Sequence, residues 1–312
     1  MSESRSVHAK PLRPTKGAAV ALHPDLRPGD ALRLIARNCI GHFTSNVPGI
    51  EGPRPGEFLH QARIALRRLR SALRSVRPPE AEAIRLRKEA KWLAGALGEA
   101  RDWDVFIDAL RPIAQAAAET AEGRDLSRVL AAARRNRVHA RKVARETLRS
   151  ARLDALLADL VRWMDSPCPF NPPEPALREF VAREVGRRHK HLMRLSGALA
   201  HGTPQERHAT RVAAKRLRYF ADYFGPLLDA KAAKRYLREL ADLQEALGIL
   251  NDLANAKRLF DALPGSQAAA VLFRKHSRAR ERKSLAAALA AIERLGDSPR
   301  FWKRRKTRRV TH

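Results

Sequence analysis

His60, Arg63, Arg67, Arg70 and Arg74 follow one another at intervals of three and four residues. With His60 at 0° and about 100° per helical residue, the arginines fall near about 300°, 340°, 280° and 320°. One narrow stripe of a helix therefore carries five basic or titratable side chains. Leu59, Leu66, Leu69, Leu73 and Val76 gather at roughly 160° to 260° on the same wheel, so the stripe borders the apolar face. Like charges one helical turn apart repel by about 0.2–0.5 kcal/mol per pair, a cost that favours a bound anion over a merely solvated helix face. Arginine suits phosphate because its planar fork binds two oxygens and stays charged. Histidine, with an ordinary pKa of about 6.5, adds a charge that switches near neutrality. Metal ligation and covalent phosphate transfer are the less favoured readings of His60 and His208. Each is surrounded by cations, has no His, Asp or Glu one turn further on, and is accompanied by no nucleotide motif.

The stripe occurs twice. His60, Arg63, Ile64, Arg67, Arg68, Leu69 and Arg70 recur as His208, Arg211, Val212, Lys215, Arg216, Leu217 and Arg218 at a constant offset of 148. Leu97, Gly98 and Asp102 recur as Leu247, Gly248 and Asp252 at 150, and Ser150 and Arg152 as Ser298 and Arg300 at 148. Landmarks that keep their order and spacing mark an internal duplication. A pseudo-twofold pairing of the halves would set the two stripes face to face across a strongly positive groove or pore. Asp222 replaces the fourth arginine in the second half, which makes the halves unequal.

Other basic positions are weaker candidates. Lys88 and Arg238 are repeat mates at an offset of 150, and Lys91 lies a turn nearer Gly98; contact with the anion and a solvated helix face are equal readings for them. Arg134, Arg137, His139 and Arg141 form a further basic band. Asp102 and Asp252 are expected to orient neighbouring arginines or to cap a helix restarting after each glycine. Trp92 and Trp103 are expected to fill the core.

Ala, Leu, Arg and Glu dominate the chain and apolar residues recur at three and four residue intervals, so the expected fold class is all-α. In the first half helical segments are predicted from Asp30 to Ser45, Glu57 to Arg77, Glu80 to Ala118 with a break near Gly98, and Arg124 to Met164. In the second they are predicted from Pro175 to Ala200, Pro204 to Phe224, Asp229 to Leu263 with a break near Gly248, and Gln267 to Leu295. Thr203, Pro204 and Glu206 form a strong start signal, a capping residue followed by proline at the first helical position and a glutamate able to reach back. The Pro-rich run from Ser166 to Pro175 cannot continue a helix. The scheme is a basic mobile segment 1–24, a first four-helix bundle 25–166, a linker 167–174, a second four-helix bundle 175–302 and a basic tail 303–312. Arg300 to Arg309 holds seven basic residues and no acid, read equally as an arm that reaches for a polyanion and as a solubilising tail without specific contacts.

Over its 312 residues the chain has 62 Lys and Arg against 33 Asp and Glu, a net charge of +29, with 44% hydrophobic residues. That apolar content excludes a disordered polyelectrolyte, and the charge points to a polyanionic partner. Composition does not choose among nucleic acid, an anionic membrane surface and a phosphate chain. Aromatics at 5% disfavour base stacking on single strands. Cys39 and Cys168 make neither a disulfide framework nor a zinc site, which fits a reducing cytoplasm. Apolar runs are too short for a signal peptide or a membrane span. Phosphate loops, zinc-protease and serine-hydrolase motifs and a kinase set are all missing, so a binding protein without cofactor or metal is expected, not an enzyme.

His60-x-x-Arg63-Ile64-Ala65-Leu66-Arg67-Arg68-Leu69-Arg70 and His208-x-x-Arg211-Val212-Ala213-Ala214-Lys215-Arg216-Leu217-Arg218-Tyr219 resemble the paired signature of the CHAD family, the histidine-containing α-helical domain. Leu97 to Val105 and Leu247 to Asp252 resemble its two later motifs. The resemblance spans about residues 25 to 302. It implies two pseudo-symmetric four-helix bundles whose basic central groove binds inorganic polyphosphate, in a cytoplasmic protein associated with polyphosphate granules. By position the ligand residues would be His60, Arg63, Arg67, Arg70 and Arg74 with His208, Arg211, Lys215 and Arg218. The alternative is a sequence-independent nucleic-acid binder, for which the same cationic surface would suffice.

Overall fold

A computed structural model describes residues 12–76, 79–167 and 175–303. These residues hold helices and no strand. The first half contains α1 (Pro28–Thr44), the short α2 (Val47–Glu51), α3 (Gly56–Ser75), α4 (Ala81–Ala116), α5 (Ala121–Leu148) and α6 (Ala151–Asp165). The second contains α7 (Leu177–Ser196), α8 (Pro204–Phe224), α9 (Ala230–Asp261) and α10 (Gln267–Asp297), with a 3-10 turn at Gly225–Leu227.

The halves pack in the same order. In the first, α1 lies on α3, α3 on α4 and α4 on α5; in the second, α7 lies on α8, α8 on α9 and α9 on α10. Across the middle, α3 touches α8, α4 touches α9 and α5 touches α10, so each of these helices meets its own repeat mate. An approximate twofold relation has this consequence. The apolar face of α3 buries Leu59, Leu66, Leu69 and Leu73, and α8 buries Leu217, Phe220 and Phe224 in the same manner. Trp103 belongs to the core, whereas Trp92 is partly buried beneath the Arg152 guanidinium, 4.0 Å from its ring centroid.

Away from the two stripes the halves are joined by buried polar contacts. Arg188 of α7 donates to Ser75 Oγ at the end of α3 (2.7 Å), pairs with Glu184 and stacks on Phe220. Cys39 Sγ lies 3.3 Å from the Tyr223 hydroxyl, and burial pushes that thiol up to about 11.

Helix ends follow local chemistry. The start signal at Thr203 forms a full capping box: the Thr203 amide donates to Glu206 Oε2 (2.7 Å) and the Glu206 amide to Thr203 Oγ1 (3.3 Å). The segment expected as one helix from Arg124 to Met164 is two, because Ser150 ends α5 and caps α6, accepting from the Leu153 amide. The counterpart Ser298 likewise ends α10. The breaks expected at Gly98 and Gly248 do not occur: α4 and α9 run through both glycines, since one glycine weakens a long packed helix by only about 1 kcal/mol.

Residues 12–24, expected to be mobile, carry no helix yet are held: Thr15 exchanges two hydrogen bonds with Asn46 (3.1 and 2.9 Å). The start of the expected basic arm is also packed, with Phe301 and Trp302 buried against His189 and Tyr236. Positions 1–11 and 304–312, and most of the Pro-rich linker (168–174, with Cys168), lie outside the described residues.

Candidate anion-binding groove

Helix α3 presents His60, Arg63, Arg67, Arg70 and Arg74 to a groove of roughly 1160 Å³, and α8 presents His208, Arg211 and Lys215 from the opposite half. Residues from α4, α9 and α10 complete the walls. Thirteen cationic side chains line this space against the three carboxylates Asp102, Asp252 and Glu281.

Two nodes organise the charge. At the first, Arg63 and Arg67 of α3 meet Arg211 and Lys215 of α8. Burial lowers the pKa of Lys215 to about 6, with Arg67 and Arg211 pushing the same way and Asp252 opposing. Burial also lowers Arg63 and Arg211, partly offset by Asp102 for Arg63 and by Asp252 for Arg211. Asp102 Oδ1 is 3.9 Å from Arg63, and Asp102 Oδ2 accepts from Arg258 of α9 at 3.3 Å, so this carboxylate ties α3, α4 and α9 together. Asp102 therefore orients arginines, one of its two expected roles; with no helix restart there is nothing for it to cap. Asn251 Oδ1 accepts from Arg211 (3.1 Å) and lies 3.0 Å from His208 Nδ1. His60 is held below its usual value by burial and by Arg101, Arg67 and Arg63, against Glu57.

The second node joins Arg70, Arg87 and Arg216. Burial lowers Arg70 and Arg216, and Arg87 adds to both effects.

Several donors at these nodes have no acceptor among the described residues: Arg63 Nη1 and the Nε atoms of Arg67, Arg70 and Arg211 are buried without a hydrogen-bond partner there. A buried guanidinium donor left unmatched costs about 1–3 kcal/mol. An anion placed in the groove would supply the acceptors. Gly98 makes room for this, because a Cβ there would stand 2.5 Å from Arg63 Nη1.

Eight of the predicted residues share the groove, and four do not. Lys88 and Lys91 are exposed on α4, outside the lining; Lys88 lies about 100° around the helix from Arg87, which does line it. Arg218 and Arg238 border a separate hollow of about 470 Å³ with Asp222, Lys234 and Leu237. Asp222 draws Arg218 (3.8 Å) and Arg68 (3.9 Å) to itself, and Gln244 accepts from Arg218 at 3.4 Å. None of Arg134, Arg137, His139 and Arg141 lines the groove; Arg137 and Arg141 turn to the buried Asp104 at 3.9 and 2.7 Å.

Groove cations missed in the sequence include Arg87, Arg101, Arg216 and Arg258. Arg101 precedes Asp102 in the duplicated motif, and Arg216 stands inside the second stripe, so both were within reach of the repeat argument. Arg258, paired with a carboxylate from the other half, carried no local signal.

The profile of the CHAD domain matches residues 34–261. The crystal structure of the CHAD domain from the plant Ricinus communis is 30% identical, covers 90% of this chain and 96% of its own, and superposes with a TM-score of 0.77. PptA from Streptomyces chartreusis, 19% identical, covers 87% of this chain and 100% of its own with a TM-score of 0.64, a likeness of fold. No curated protein sequence matches.

Proposed function

The chain belongs to the CHAD family, and from that premise we propose that its groove binds inorganic polyphosphate and that the protein associates with polyphosphate granules in the cytoplasm. The observation that carries this reading is the set of buried donors without acceptors, Arg63 Nη1 and the Nε atoms of Arg67, Arg70 and Arg211, contributed by both halves to one groove. A linear phosphate chain offers an anionic oxygen at every unit, so a single ligand meets both nodes, which a lone orthophosphate does not. Arginine forks match such oxygens in pairs. The role proposed is binding and not catalysis, since Asp102 is committed to Arg63 and Arg258 and the groove sets few carboxylates among many cations.

A competition titration tests the proposal. Labelled long-chain polyphosphate bound to the protein is challenged at about 0.15 M salt, where weak surface attraction is screened, with unlabelled polyphosphate, duplex DNA, RNA and orthophosphate. Displacement at low concentration by polyphosphate alone is the expected result. Equal competition by DNA or RNA per phosphate would replace it with a general polyanion surface. Changing Arg63, Arg67, Arg211 and Lys215 together to alanine is expected to abolish binding with helicity intact.

A further inference from the structure

Lys215 occupies the position at which the first half has Arg67. The substitution changes the chemistry available, because an arginine stays protonated and a lysine can surrender its proton to become a nucleophilic amine. Around Lys215 stand Arg63 and Arg67 from α3 and Arg211 one turn earlier on α8; from α9, Asp252 is the carboxylate that acts on it. The groove's other lysine, Lys257, is bound to Asp261 at 3.0 Å. An amine beside fixed cations, and partly withdrawn from water, is the arrangement that activates lysine as a nucleophile.

We propose that Lys215 is an acylation site that takes its acyl group from an acyl phosphate, whose phosphate is held by Arg63, Arg67 and Arg211. The inference draws on the anion-holding groove described above and adds covalent chemistry to it. The Lys215 Nζ lone pair attacks the acyl carbon and a C–N bond forms. The C–O bond to phosphate breaks, inorganic phosphate leaves with the electron pair, and the amine proton passes to the phosphate or to water. The guanidinium groups that hold the donor also stabilise the leaving group, as fixed cations do for departing phosphates. With its pKa at about 6, Lys215 is about nine-tenths unprotonated at pH 7 before any donor arrives. The product is an amide that cannot take up a proton when a polyanion arrives, so acylation denies the first node the cation that binding would otherwise form and weakens its hold on polyanions.

The test uses the unmodified full chain and acetyl phosphate, with acetylation at each lysine followed by peptide mass spectrometry. Lys215 is expected to react at least tenfold faster at pH 7 than the exposed Lys88 and Lys91. Its rate is expected to stay nearly level from pH 7 to 9, whereas a solvated amine titrating near about 10.4 gains about tenfold per unit. With p-nitrophenyl acetate, an uncharged donor, the lead of Lys215 should shrink. A Lys215 rate no greater than that of Lys88, or a lead equally large with both donors, overturns the proposal. Long-chain polyphosphate should slow acetylation at Lys215 alone; rapid acetylation that polyphosphate does not slow would uphold the acylation site while sinking the proposed polyphosphate function.

Discussion

Arg70 and Arg218 hold equivalent positions in the two halves and face different spaces. Arg70 lines the groove beside Arg87 and Arg216, whereas Arg218 borders the separate hollow with Asp222. The divergence follows from two neighbours: Arg74 of the first half is matched by Asp222, and Arg87 by Leu237. An arm of the groove that is arginine-rich in one half is thus neutralised and apolar in the other. The groove is accordingly unsymmetrical, running from the Arg70 arm through the first node toward α10.

The same substitution at the two mates should therefore give different results. Arg70→Ala removes a charge-assisted hydrogen bond worth about 1.5–3 kcal/mol, a loss of roughly tenfold or more in polyphosphate affinity. Arg218→Ala and Arg238→Ala should leave affinity within about twofold at physiological salt, where charges beyond about 8 Å are screened. Equal losses for Arg70→Ala and Arg218→Ala, measured by titration at 0.15 M salt, would show that the hollow and the groove act as one site.

The duplicated glycines separate stability from binding. A Cβ at Gly248 meets nothing within 4 Å, so Gly248→Ala should stabilise α9 by about 1 kcal/mol, raising Tm by about 2–4 °C. At Gly98 the added methyl collides with Arg63 Nη1, the far end of a flexible side chain, so the helix persists and the guanidinium moves. Gly98→Ala is expected to hold or raise Tm while weakening polyphosphate binding several-fold. A variant that melts earlier would mean that the glycine serves the helix and not the groove.

Much of this was legible in the sequence, and the exceptions have physical causes. The stripes on α3 and α8 were readable because helical spacing fixes which side chains share a face, and the repeat located the second stripe from the first. Arg218 was misplaced because spacing puts a side chain on a face and does not say which carboxylate will claim it; Asp222, though visible, lies on the same helix one turn away and wins. The division between α5 and α6 escaped because apolar periodicity continues through Ser150, and only the cap it forms with Leu153 marks the turn. Arg258 could not be found, since its partner Asp102 is 156 residues away.

The packed pair Phe301 and Trp302 gives a stability prediction. Trp302 lies 5.0 Å from the His189 ring centroid and 5.4 Å from that of Tyr236, and Tyr236 shares a 2.8 Å hydrogen bond with His189. Trp302→Ala should cost about 3–5 kcal/mol, lowering Tm by roughly 2–4 °C for each kcal/mol. Burial, aided by Arg300, lowers the His189 pKa to about 4. The unfolded chain binds that proton more readily, so stability contributed here is complete above about pH 6.5 and declines as pH falls toward 4. Opening the cluster with Trp302→Ala should flatten that decline in acid melts; an unchanged Tm would show that the end of the chain does not belong to the fold.

Binding should be linked to protons through Lys215. In the empty groove its pKa is about 6, and phosphate oxygens beside it favour the charged form, so the complex binds more protons than the free protein. By linkage, affinity is greatest below about pH 6 and declines above it, by at most about tenfold per pH unit for one proton. The groups facing Lys215 are Arg63, Arg67, Arg211 and Asp252; guanidinium and carboxylate groups as classes titrate far from this range, so the slope above pH 7 is assigned to Lys215. His60, also held below its usual value, adds a second slope at lower pH. Calorimetric titrations with long-chain polyphosphate at pH 7, in buffers of different ionisation enthalpy, should register uptake approaching one proton. Lys215→Arg, always charged, should abolish that uptake and level the affinity between pH 7 and 8.5, while His60→Gln should leave it in place. Uptake that persists in Lys215→Arg would assign the proton to another group and remove Lys215 from the first node's response.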